Sequence, residues 1–283
     1  MPARSQPTAR QVRLGAELRK LRDAAGMTAR EVAGLLGTSS AQMSQIEAGN
    51  AGVSEERLRR LAAHCACADR ELIDALATMV TDRTRGWWEE FQGVLPPAFL
   101  DLSELEHHAS FRRDVEIIHV PGLLQTEDYA RAVFSYLPPG LPEGELEARV
   151  AHRMGRRVIF ERAAPVKYEA VIHEAALRIR VGDRRASRAQ LDQILTLSEG
   201  EGVTVRVVPF DTDGFAGAGS AMVYAGGPVP RLDTVVRDAP HGTAFLDAES
   251  QLDRFRALFH KLEAASLDPG KSRDFIHRMT KEW

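Results

Sequence analysis

The stretch Thr28–Glu47, TAREVAGLLGTSSAQMSQIE, constrains this chain more than any other. Thr28 with Glu31 three residues on forms a capping box, which opens a short helix at Ala29. Val32, Ala33, Leu35 and Leu36 supply its inward face, and Gly37 breaks it. Thr38-Ser39-Ser40 offers a fresh N-cap, and a further helix runs to about Ala48 with Met43 and Ile46 inward. Two helices this close must cross steeply over a turn of three or four residues. Ala33 is the small residue such a crossing needs, Gly37 makes the tight turn, and Met43 with Ile46 holds the second helix down. The outer face of that second helix is then placed to enter a DNA major groove.

The flanks extend the pattern. Residues 10–25 read as a helix with Leu14, Leu18, Leu21 and Ala25 on one stripe, ended by Gly26. Ser54 caps another, with Leu58, Leu61, Ala62 and Cys65 inward, and Asp69–Val80 carries Leu72, Leu76 and Met79. The expectation is an all-α five-helix domain over residues 10–80, after a disordered arm at 1–9 and before a polar linker at 81–86. From residue 87 the character changes. Helical patterns at 99–113, 126–136, 143–161, 188–199, 250–264 and 271–279 interleave with strand-like runs at 115–120, 167–172, 203–209, 221–224 and 232–236. Residues 87–283 therefore read as an α+β domain of mixed α/β content.

Charge supports this division weakly. Residues 1–80 carry +2 and the remainder −5, giving the net −3 of the whole. The sign suits a DNA-binding head on an acidic body, but the motif carries the argument. No run approaches the ~18 apolar residues of a membrane span, and MPARSQPTAR lacks the apolar segment of a secretory signal. A cytoplasmic, nucleoid-associated protein is expected. Cys65 and Cys67 read as small buried residues rather than a thiol sensor, and two cysteines do not make a tetrahedral zinc site.

The stretch 28–47, with Ile46-Glu47-Ala48-Gly49, Ser54, Leu58 and Leu61 after it, resembles the Xre/Cro/λ-repressor family over about residues 10–80. The resemblance implies a λ-repressor-like fold, double-stranded DNA as partner, and homodimers on paired half-sites. On the outer face of the second helix, Ser40, Ala41, Gln42 and Gln45 are the expected base readers. Gln can bond adenine through two contacts and Ala can meet a thymine methyl. Ser39, Ser44 and Thr28 are expected at phosphates or as caps, with Arg30, Arg13 and Lys20 as candidate backbone contacts. Glu47 is expected to bond within the turn. Trp87-Trp88, the Leu105-Glu106 region, Val120–Arg131 (with PGLLQTEDYAR its most specific piece), His173–Leu177 and Val205–Phe210 resemble the C-terminal domain of a large actinomycete group. That group comprises antitoxin-like Xre regulators, Scr1-like and related to the WhiJ developmental regulators. It implies a regulator encoded beside a small partner protein that modulates it.

Enzymatic readings fail on spacing. His173-Glu174 lacks a second His at 177, Asp211-Thr-Asp213-Gly lacks the later ligands of a calcium loop, and Gly214–Gly219 lacks the Lys-Ser/Thr of a P-loop. Adjacent His107-His108 point apart on a helix, Trp87-Trp88 read as packed rather than as a base-stacking platform, and Gly214–Gly219 reads as a loop. PGLLQT reads as a turn before a packed helix, or, if exposed, as a docking patch through Leu123-Leu124. The expectation is a non-enzymatic transcriptional regulator without cofactor or metal. Its second domain receives a small partner protein or ligand. The alternative is an antitoxin-type interaction protein that restrains its neighbour and autoregulates.

Overall fold

The computed structural model describes residues 6–82, 84–136, 140–213, 219–239 and 242–283. Most of the expected N-terminal arm and most of the Gly214–Gly219 loop lie outside these. The chain divides into two compact units. The first runs through Gln92 and takes in Val229–Leu232, and the second comprises Gly93–Pro228 and Asp233–Trp283. The boundary falls later than the sequence suggests. Trp87–Phe91 forms a 3-10 turn of the first unit, where Trp88 is buried and lies edge-to-face on Trp87.

In the first unit the helices are α1 (Ala9–Ala24), α2 (Ala29–Leu35), α3 (Ser40–Glu47), α4 (Glu55–His64) and α5 (Arg70–Thr81). Each begins where a side chain can accept from a backbone N–H otherwise left without a partner. Thr8, Thr28, Ser39, Ser54 and Asp69 do so, and the first two form full capping boxes with Gln11 and Glu31. Gly26 and Gly37 take left-handed φ of +69° and +64° beyond α1 and α2, a conformation that costs a side chain but not glycine. Leu18, Leu21, Val32, Ala33, Leu36, Met43, Ile46, Leu58, Leu61, Leu72 and Leu76 make one core. Two expected core residues are outside it. Ala25 is the exposed cap of α1, and Leu35 is 41% exposed. Val32, Ala33 and Leu36 define the buried face of α2, and at 100° per residue Leu35 falls about a quarter-turn off its centre.

The second unit is built on a six-stranded mixed sheet. Its elements are α6 (Pro97–His108), β1 (Phe111–Glu116), α7 (Glu127–Ser135), α8 (Glu145–Gly155), β2 (Lys167–His173), α9 (Glu174–Arg178), α10 (Arg184–Leu197), β3 (Val203–Val208), β4 (Met222–Gly226), β5 (Thr234–Ala239), β6 (Gly242–Leu246), α11 (Glu249–Ala265) and α12 (Pro269–Thr280). The order is β3-β2-β1-β4-β5-β6. β1, β2 and β3 run parallel, and β4, β5 and β6 join antiparallel. One face packs Tyr168, Ala170, Ile172, Val205 and Val207 against Tyr129, Leu191, Ile194, Ile276 and Met279 from α7, α10 and α12. The other packs Val115, Val171, Met222, Tyr224 and Val235 against Leu252, Phe259 and Leu262 of α11. Helices on both faces fit parallel strands, which need burial on two sides.

Two strands depart from expectation. β1 begins at Phe111, four residues before the apolar run that suggested it, and residues 117–120 leave the sheet. Phe111–Arg113 falls in the stretch expected as the end of a helix over 99–113, but the helix stops at His108 and the strand begins here, with Arg112 and Asp114 buried and paired. β6 is a short edge strand that periodicity did not reveal.

Candidate nucleic-acid interface

The face of α3 follows from its inward stripe. With Met43 0% and Ile46 3% exposed, a 100° step puts Ala41 opposite the stripe, Ser44 and Gln45 to either side of it, and Ser40 and Gln42 on the flanks. All five are exposed, as is Ser39 at the N-cap. Ser39 Oγ accepts from the Gln42 amide at 3.1 Å, and Ser44 Oγ donates to Ser40 O at 3.0 Å. Those hydroxyls are partly spent within the helix. The side-chain amides of Gln42 and Gln45 have no partner among the described residues, so a donor and an acceptor on each remain for an external edge.

The supporting residues divide. Arg30 is exposed at the start of α2 with no ion-pair partner among the described residues. Thr28 is exposed, but its hydroxyl and amide are both used by Glu31. Arg13 does not present a free charge. It is 8% exposed, its Nε donates to Glu17 at 3.1 Å, and its Nη2 donates to Arg231 O at 2.5 Å. Lys20 is half-buried and donates to the same fully buried Glu17 at 2.7 Å. A buried carboxylate needs counter-charges, and Arg13 and Lys20 supply them here.

Position and orientation of α3 depend on α1. Glu47, at the end of α3, takes a two-pronged contact from Arg22, Nε–Oε1 2.6 Å and Nη2–Oε2 2.9 Å, with both side chains under 10% exposed. The hydrogen bond to Glu47 is the chief cause holding the Arg22 pKa above its ordinary value. Arg22 Nη1 also donates to Met27 O, pinning the entry to α2. Glu47 is thus structural, as expected, but its partner is on α1 rather than in its own turn. Gly15 completes the contact. A Cβ there would stand 2.5 Å from Glu47 O and 2.6 Å from Ile46 O. Gly15→Ala must push α1 off α3, and an expected loss of about 1–3 kcal/mol appears as a lower urea midpoint. An unchanged midpoint contradicts the close approach. An isolated glycine inside a helical pattern was the available signal.

Elsewhere the residues singled out by motif are structural. His173 caps α9, and Glu174 accepts from Phe210 N at 2.8 Å and pairs with Arg178. Leu123 and Leu124 are 0% exposed, so PGLLQT is a packed turn and not an exposed docking patch. Cys65 is buried, and burial pushes its thiol up, away from the thiolate that sensing needs. Among the described residues no helix is long and apolar enough to cross a membrane, and no cluster of three His, Cys, Asp or Glu stands ready for a metal.

A capped helix pair with a polar outward face on the second helix defines a helix-turn-helix protein. Residues 13–76 match the family described as helix-turn-helix domain. Residues 99–278 match the family described as domain of unknown function (DUF5753), and the chain belongs to that family. No curated protein and no solved structure matches the chain.

Proposed function

We propose that this chain is a sequence-specific transcriptional regulator of the Xre, λ-repressor-like type. It binds double-stranded DNA as a homodimer through α3, and its second unit receives a small partner protein or ligand. Its activity is binding, not catalysis. The observation that carries this reading is the outward face of α3, with two uncommitted glutamine amides beside Ala41 on a helix fixed from behind by Met43, Ile46 and Glu47. One such unit has a small footprint, and paired half-sites are how helix-turn-helix proteins reach useful affinity. The partner-receiving role rests on resemblance to antitoxin-like regulators and on the size of the second unit.

The test is fluorescence anisotropy on a duplex recovered by selection, with Gln42→Ala and Arg30→Ala beside the parent. Gln42→Ala is expected to cost about 1–3 kcal/mol at the selected site and to relax preference there, while Arg30→Ala weakens all duplexes alike and lowers the salt slope by about 1. A Gln42→Ala protein with unchanged affinity and preference contradicts the assignment of α3.

A further inference from the structure

The carboxyl end of β1 is where the strand order reverses. From β1 the chain builds outward through parallel β2 and β3, then returns to place β4 on the opposite side of β1. In open α/β sheets, ligands settle outside the carboxyl ends of strands at such a reversal. The loop that leaves β1 here is PGLLQT, and the arginines of α8 and the following 3-10 turn, Arg156–Phe160, close on it.

Two of the arginines here are paired by carboxylates and two are not, among the described residues. Arg156 is 4% exposed, and Glu106 takes its Nε at 2.9 Å and its Nη2 at 2.6 Å. Arg112 is paired by Asp114 at 2.7 and 2.8 Å and by Glu106. Arg153 and Arg157 have no such service. Arg153 Nη1 donates to Gln125 Oε1, its guanidinium lies 4.7 Å over the Phe134 ring, and no carboxylate pairs with it among the described residues. Arg157 Nη2 donates to the backbone O of Gln125, and its Nε is buried without an acceptor. Glu116 and then Asp238 act on Arg153 through space, and Glu161 acts so on Arg157.

Glu116, at the end of β1, is pushed up to about 8 by burial first and Asp114 second, while Arg112 and Arg153 act to lower it. His152 is pushed down to about 3 by burial, then by Arg156 and Arg153, so it is neutral. Arg153 itself is pushed down to about 9 by burial first and Arg156 second. Yet Arg153 keeps part of its surface open, unlike Arg112 and Arg156. Its orientation is fixed, because Gln125 is held by donating its Nε2 to Val120 O at 2.7 Å. A Cβ at Gly122 would stand 3.0 Å from Arg153 Nη1 and 3.1 Å from Arg156 Nη1, so two guanidinium ends converge on a position without a side chain.

We propose that Arg153, with Arg156 and Arg157 beside it, seats the carboxylate or phosphate of a small anionic ligand. A stacked, pre-oriented guanidinium with unspent donors and no carboxylate in pairing range among the described residues matches the planar fork that such groups take. This deepens the reading of the second unit as a receiver, and rests on it.

The test is thermal unfolding of the full chain at fixed ionic strength, with inorganic phosphate or succinate replacing chloride at millimolar concentration. Either anion is expected to raise the Tm with the logarithm of its concentration, and the stronger of the two names the ligand group. Arg153→Met is expected to abolish the rise. Arg153→Lys keeps the charge but loses the fork, and is expected to move half-saturation about tenfold higher; it also serves if the Met variant does not fold. No rise with either anion, or a full rise retained in both variants, overturns the site. Anisotropy on duplex DNA with the same preparations separates the two ideas. Intact DNA binding without an anion response overturns the site alone. An Arg153-dependent anion response supports the site whatever the DNA result, and one that changes DNA affinity supports the receiving role as well.

Discussion

Glu106→Ala is expected to lower the stability of the second unit by about 3–5 kcal/mol, the range for removing one partner of a buried ion pair. Glu106 is 1% exposed and accepts both prongs of Arg156 while also pairing Arg112. After the change Arg112 still has Asp114, but Arg156 has no carboxylate left in ion-pair range among the described residues. The cost is therefore that of one stranded, buried guanidinium rather than the worth of the contact itself. Glu106→Gln keeps one acceptor oxygen and is expected to lose less. Hydrogen exchange of the β1 and β2 amides measures both, because both strands lie inside the sheet and not at its edge. A Glu106→Ala loss under about 1 kcal/mol contradicts a buried pair of this kind.

Glu47→Ala is the corresponding break in the first unit, with an expected loss of about 3 kcal/mol, at the lower end of the same range. The discount has a structural reason. Arg22 would still donate to Asp23 at 2.6 Å and to Met27 O at 2.8 Å, and Asp23 is half exposed. Against a typical domain stability of about 5–15 kcal/mol this is a large share. Since Glu47 ends α3 and Arg22 belongs to α1, the loss also frees α3 to shift, so DNA affinity falls before the unit unfolds. Arg22→Lys separates charge from geometry, because an ammonium cannot make the two-pronged contact. Circular dichroism during urea titration reads the stability, and a Glu47→Ala curve superimposable on the parent contradicts the account.

The first unit was legible because its signals are local. Thr28, Glu31, Ser39 and Ser54 cap helices within three residues of themselves, and the stripes Met43–Ile46 and Leu58–Leu61–Ala62 lie within single helices. What escaped depends on partners distant in the chain. Arg22 and Glu47 stand 25 residues apart, so a structural Glu47 is legible but the arginine it meets is not. The same blindness hid the true start of β1. Arg112 falls in the expected helix over 99–113, and only Glu106 and Tyr168, folded against Arg112 and Asp114, make this charged stretch a strand start. Arg13, expected as a backbone contact, shows the converse, since its pairing with buried Glu17 is not visible from its place on a helix face.

The most direct test of the central claim, that α3 reads DNA sequence, is selection from random duplexes by the full chain beside its Gln42→Ala, Gln45→Ala double variant. A defined, two-fold-symmetric motif is expected for the parent, and for the variant either no enrichment or a motif degenerate at the bases that α3 reads. The same motif recovered by both proteins contradicts it.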